Sequence, residues 1–226
     1  MRFGNLILWD MRFQAKYGFY FLYAVLTILY VILLFAFPEA WSEKAAALLI
    51  FSDPAAMGLF FMGAIVLLEK SQHTPCAFAV SPVCATEYVL AKVGSLSIIS
   101  LAVAAVLALS ARMDNLSFVF LGTVLSSIIF TLLGIMVATR ITSLNQFILW
   151  TVPIEIIGFV PAILHLFGVT PSWLKYYPVN ICMDMVAGHA PTITGIVMIV
   201  ALIAILFLVA KRFVLNMWRS AGGVKL

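Results

Sequence analysis

Charged residues are scarce in this sequence: 13 Lys and Arg with nine Asp and Glu make up 10% of 226 residues, where a soluble domain carries about 25%. So few charges cannot coat a water-soluble fold of this size. Thirteen basic groups spread over several loops do not form a phosphate-binding stripe either, and no nucleic-acid partner is expected. Cysteine is equally sparse. Cys76, Cys84 and Cys182 are odd in number and show no CxxC spacing, so no disulfide framework and no zinc ligand set follows from them and the redox compartment stays open. Histidine occurs three times, at His73, His165 and His189, too scattered along the chain to suggest a metal centre. The sequence also contains no G-x-x-x-x-G-K-[ST] loop, G-x-G-x-x-G turn, H-E-x-x-H pair or G-x-S-x-G elbow. Each motif serves a chemistry that needs that spacing, so no catalytic residue and no cofactor are predicted within this chain.

Apolar residues are what the sequence has in abundance. They make up 65% of the chain, with a mean hydropathy of +1.16. An all-α membrane protein follows, because only a helix satisfies its own backbone groups across a bilayer without closing into a barrel. A crossing needs roughly 20 apolar residues. Residues 17–37, 88–110, 118–138, 147–167 and 193–210 meet that length. A sixth crossing, 45–68, is interrupted at 52–54 by Ser52-Asp53-Pro54, where Pro54 suits a first helical position and Ser52 or Asp53 a cap. Residues 1–226 thus read as a single transmembrane domain, with a loop at 69–87 on one side and a longer segment at 168–192 on the other. The first apolar run follows Arg2, Asp10, Arg12 and Lys16 and reads as a span rather than a cleavable leader. Residues 3–16 mix Phe3, Leu6, Ile7 and Trp9 with Asn5, Asp10, Arg12, Gln14 and Lys16, a composition suited to a helix lying in the membrane interface.

Six crossings put both ends on one side, and basic residues choose the side. Arg2, Arg12, Lys16, Lys70, Lys92, Arg140, Lys211, Arg212, Arg219 and Lys225 fall on the N-terminal side, against Lys44, Arg112 and Lys175 opposite. Positive charge accumulates in cytoplasmic loops, so both termini are expected in the cytoplasm, and the chain in a bacterial-type cytoplasmic membrane.

Two places invite function. In the 69–87 loop, Thr74-Pro75 is a helix start and Ser81-Pro82 ends that helix after about two turns. A short helix of this kind, with Phe78 and Val80 as its apolar residues, is more than a turn requires. In the fifth span, Pro153, Gly158 and Pro161 predict a kink, and Glu155 stands among them. A charge there costs several kcal/mol unless paired, hydrated or neutral. Glu155, with His165 nearer the outer surface, is therefore a candidate point on a substrate or proton path; the bland alternative is a neutral Glu bonded within its own helix bundle. Small residues at four-residue spacing, Gly122 with Ser126 and Gly134 with Ala138, read as helix packing.

The loop also carries a resemblance. Glu69-Lys70, the short helix, Ser81-Pro82-Val83, Glu87-Tyr88 and Lys92 resemble the pattern at this place in the ABC-2 permease family, although His73-Thr74 stands where that family usually has Gly-Thr. Tyr177-Pro178-Val179-Asn180, leading through Met183 and Ala187 to Gly188, resembles the family's outer amphipathic segment. The chain is also similar to permeases of fluoroquinolone efflux. The resemblance implies a permease half-transporter that exports by alternating access. It implies a separate cytoplasmic ABC ATPase, carrying ATP and Mg, and a second permease copy or a paralogue. Thr74–Val80 would then be the coupling helix, with Glu69, Lys70, Glu87 and Lys92 flanking it. The rival readings are a proton-coupled secondary transporter that uses Glu155 and a non-transporting membrane scaffold.

Overall fold

The computed structural model describes residues 2–174 and 176–221; Lys175 and Lys225, counted in the charge asymmetry above, lie outside them. The described chain forms helices joined by short connections, with no strand among the described residues. It runs α1 (Arg2–Lys16), α2 (Phe19–Ala36), α3 (Glu39–Ser52), a π-helical turn (Asp53–Gly58), α4 (Leu59–Ser71), α5 (Thr74–Val80), α6 (Ala85–Ser110), α7 (Leu116–Arg140), α8 (Leu144–Leu166), a 3-10 turn (Ser172–Leu174), α9 (Pro178–Val186) and α10 (Ile193–Ala221). Six helical stretches are long and apolar enough to cross a membrane: α2, α3 through α4 as one piece, α6, α7, α8 and α10.

The interruption at 52–54 takes a different form from a capped break. The helix continues through Trp41–Ser71, and the proline is absorbed in the π-helical turn Asp53–Gly58. Proline has no N–H to donate, and widening the helix by one residue re-partners the backbone around it. Asp53 therefore caps nothing. It sits 13 residues into the crossing and is buried.

The core forms around α7, which packs against α4, α6, α9 and α10. Its small residues make that possible. A Cβ at Gly122 would stand 2.8 Å from both the Met185 Cβ and the Val186 backbone nitrogen, and one at Gly134 would stand 2.9 Å from the Leu59 carbonyl oxygen. With lipid as apolar as the side chains, close backbone approach rather than water exclusion holds such helices together. Span 5 (α8) continues unbroken through Pro153 and Pro161, with Gly158 set against the Phe130 ring. Gly18 (φ 78°) turns the chain between α1 and α2, a left-handed conformation that costs a glycine little.

Helix α9 and the ends of α6 and α7 are tied at the face opposite α5. Asn115 donates to the Gly188 carbonyl at 3.3 Å. His165, at the far end of α8, is 2.9 Å from Asp184 and 3.0 Å from Thr170. Gly122→Val is expected to destabilise the protein by about 1–3 kcal/mol through overpacking against α9. Gly4→Ala, where a Cβ meets nothing within 4 Å, should leave it unchanged. Thermal melting of the two variants in the same detergent checks the pair.

Candidate functional site

The site is built where α1, α4, α5, α6 and α10 converge. Helix α1 lies on α6 with Asp10, Phe13 and Gln14 turned inward, leaving Phe3, Leu8 and Trp9 exposed. Helical spacing puts positions 10, 13 and 14 on one face, so the buried face of this segment is partly polar. It needs a partner in α6, and Lys92 supplies it.

Lys92 is 2% exposed. Its ammonium donates to Asp10 from α1 and to Glu69 from α4, and both carboxylates are buried with it. Three rings close around the remaining side, with the Lys92 nitrogen 5.3 Å from the Tyr88 centroid, 5.8 Å from Trp9 and 5.9 Å from Phe13. Ring faces are negative and attract a desolvated cation. The free lone pairs of the acids are also used. Tyr88 donates to Glu69 Oε2 at 2.6 Å, Gln14 donates to Asp10 Oδ2 at 2.9 Å, and Ser95 donates to Asp10. Desolvating an ion pair costs several kcal/mol per ion and is repaid only when geometry is good and extra hydrogen bonds reach the carboxylates, as they do here. One interaction thus fastens the N-terminal helix, the second span and the third span together.

The adjacent residues extend the same tie. Lys70 points the other way and donates to three carbonyls at the end of α7, Ala138 at 2.7 Å, Thr139 at 2.9 Å and Ile141 at 2.8 Å. Those are acceptors a helix end leaves unpaired, and a cation there also suits the helix dipole. Arg140, at the same helix end, lies 4.2 Å over the Phe213 ring of α10. Glu87 accepts the Cys84 backbone N–H at 2.9 Å and so starts α6.

Helix α5 spans Thr74–Val80, with Pro75 in its first turn and Ser81 closing it. Phe78 is its anchor and faces inward. Its ring stacks on Trp218 of α10 at 5.7 Å and meets Tyr88 at 5.4 Å and Trp9 at 6.0 Å. What the helix presents outward is Ala77, Ala79 and Val80, the last 88% exposed, followed by exposed Pro82. Between α5 and α1 lies an open groove of about 530 Å³, lined by residues that include Asn5, Leu6, Thr74 and Ala77.

The fifth-span residues are not brought to this site. Glu155 is the twelfth of 23 residues in α8 and partly exposed. It stands between exposed Val152, Ile156 and Ile157. His165 lies ten residues on, roughly 15 Å along the axis, and belongs to the Asp184 and Thr170 contact instead. Sequence reading did not select Asp10, Gln14, Ser95 or Trp218. The signal that would have found Asp10 was Lys92 itself, an ammonium inside a span that requires a counter-ion.

Lys92→Met leaves two carboxylates buried without their cation. It should destabilise the protein by about 3–5 kcal/mol. Adding Asp10→Asn and Glu69→Gln to that variant should recover part of the loss, read as the thermal midpoint in detergent. A triple variant no more stable than Lys92→Met would show that the cluster is not held by charge.

A family model described as the fluoroquinolones export permease protein family matches residues 1–219. Among individual proteins, two fluoroquinolones export permease proteins of Mycobacterium tuberculosis, from strains CDC 1551 / Oshkosh and ATCC 25618 / H37Rv, are each 28% identical over 153 residues, 66% of this chain. The aligned stretch spans 64% of the length of those relatives, a little under two thirds. Six apolar helices and a match over nearly the entire sequence place the protein among multi-pass membrane permeases: the chain belongs to the fluoroquinolone export permease family.

Proposed function

We propose that this chain is the permease subunit of an ATP-driven exporter that moves amphipathic molecules of the fluoroquinolone kind across the cytoplasmic membrane. A separate ATPase docks on α5, and a second permease copy or a paralogue completes the transporter. The observation that carries the reading is how α5 is held. Its outward side is small and apolar and borders a groove, while its inward side is fastened through Phe78 to α10 and α6. The Lys92 cluster beside it then fastens α1, α4 and α6 to one another. A push on α5 is delivered to several spans together, as rigid movement between two states requires. ATP and Mg belong to the partner, consistent with the lack of a phosphate loop in this chain.

The partly exposed Glu155 supports a second permease copy. A carboxyl group at mid-span among lipid-facing residues is costly, and a partner helix over α8 removes it from lipid. The excess of basic residues at the α5 end supports a cytoplasmic location for that face.

Co-purification in mild detergent tests the docking. Because Phe78 is internal, the informative substitution is Val80→Asp, which charges the outward side without touching the aromatic cluster. Loss of about 1.4 kcal/mol at the interface lowers affinity tenfold, and a drop of at least about that size in co-eluting ATPase is expected. Undiminished co-elution with both Val80→Asp and a 74–80 deletion that still folds would sink the docking assignment.

Cysteine labelling tests the orientation. Cys84 is exposed, whereas Cys182 is buried and its thiol is pushed by that burial up to about 12, so at pH 8 it holds almost no reactive thiolate. A membrane-impermeant maleimide should label the protein in inverted vesicles, with Cys84→Ser removing most of the signal, and should not label intact cells. Cys84-dependent labelling of intact cells would put α5 outside.

A further inference from the structure

Asp53 lies in the middle of the second span, remote in the fold from the docking face, and the mechanism above makes no use of it. It is 2% exposed and forms no ion pair among the described residues. Its surroundings are polar but unfinished. Oδ2 of Asp53 and the Tyr23 hydroxyl of α2 are both buried without a hydrogen-bond partner. Ser100 lies beside the carboxyl group, and Tyr23 and Tyr30 are within its electrostatic reach. Tyr30 is satisfied by Ser52, and Tyr23 packs edge-on against Phe61 at 4.8 Å.

Buried polar atoms are nearly always paired. Two orphans within one cluster, Asp53 Oδ2 and the Tyr23 hydroxyl, therefore mark a site whose last partner comes from outside the chain. That partner must donate a hydrogen bond to the Asp53 oxygen, since a carboxylate only accepts, and the Tyr23 hydroxyl oxygen can accept a second one. It should also carry positive charge, since no Lys, Arg or His among the described residues pairs with Asp53. An ammonium group meets both requirements, and a carboxylate flanked by aromatic rings is the chemistry that recognises one. Access is at hand. Tyr23, with Tyr20, Thr27, Ile28, Ile99 and Val103, lines an open groove of about 450 Å³ between α2 and α6, within the size range of small-molecule sites. Tyr23 alone belongs both to that groove and to the Asp53 cluster, so movement of its ring is the step that joins them.

We propose that Asp53, with Ser100 and Tyr23, is the recognition point for a protonated amine on the transported amphiphile, entered from the groove between α2 and α6. This rests on the reading of the chain as an export permease and adds the charge class of its substrate.

The test uses the full chain in lipid nanodiscs with whatever ATPase co-purifies. The probes are norfloxacin, whose piperazine amine is protonated at pH 7.4, and its N-acetyl derivative, which keeps the ring system and carboxylate but loses that charge. Fluorescence titration should show norfloxacin bound about tenfold or more tightly than the acetylated compound. Asp53→Asn should bring the ratio close to one by weakening norfloxacin alone, and Tyr23→Phe, which preserves shape, should lower it about threefold. If Asp53→Asn does not fold, the wild-type ratio and Tyr23→Phe decide the matter. Equal, saturable binding of both compounds to the wild-type protein, or a ratio that survives Asp53→Asn, overturns the amine site and leaves the export reading standing. Failure of both compounds to bind overturns the site and the fluoroquinolone-like substrate together.

Discussion

The arrangement of this protein depends on one buried ammonium. Lys92 sits where the third span leaves the membrane core, and no neighbour on its own helix can neutralise it. Its two carboxylates come from segments 82 and 23 residues away, so satisfying Lys92 requires α1 to lie on α6 and α4 to stand beside both. Hydrophobic packing cannot impose that geometry within a bilayer, because lipid and side chains are equally apolar. A desolvated charge can, since burying Lys92 away from Asp10 and Glu69 would leave ions unpaired.

The remaining contacts at the α5 end of the bundle are consistent with that frame. Lys70, one residue from Glu69, is directed to the opposite side of its helix and closes the end of α7. Phe78 and Trp218 stack between α5 and α10. Four spans and the N-terminal helix thereby share one polar and aromatic junction, while the bundle's opposite face is secured by α9, His165 and Asp184. In the proposed cycle the first of these faces receives force. The groove between α2 and α6 borders one span of that junction, α6, which gives the proposed amine site a mechanical link to it.

Particular residues show how far sequence reading went. The short helix at Thr74–Val80 was legible because Thr-Pro and Ser-Pro act locally, through capping and a missing N–H. The direction of Phe78 was not, because Trp9, Tyr88 and Trp218 come from three other helices. Asp53 beside Pro54 looks in one dimension like a cap at a helix break. The π-helical turn absorbs the proline and carries the acid into the core, and nothing local distinguishes the two outcomes. Glu155 was noticeable for the same reason that Asp53 was overlooked: one stands within a continuous apolar run, the other at an interruption of one.

Composition and hydrophobic length by themselves determined that the chain is a helical membrane protein of six crossings, because the thickness of a bilayer and the cost of unpaired backbone groups leave no other use for such segments. The loop motif determined where to look for a docking helix. Only the tertiary structure decided which charges meet, which face of α5 is free and which intramembrane acid is enclosed. Those outcomes depend on contacts between distant segments, and a charge in a low-dielectric interior is governed by neighbours that sequence order does not reveal.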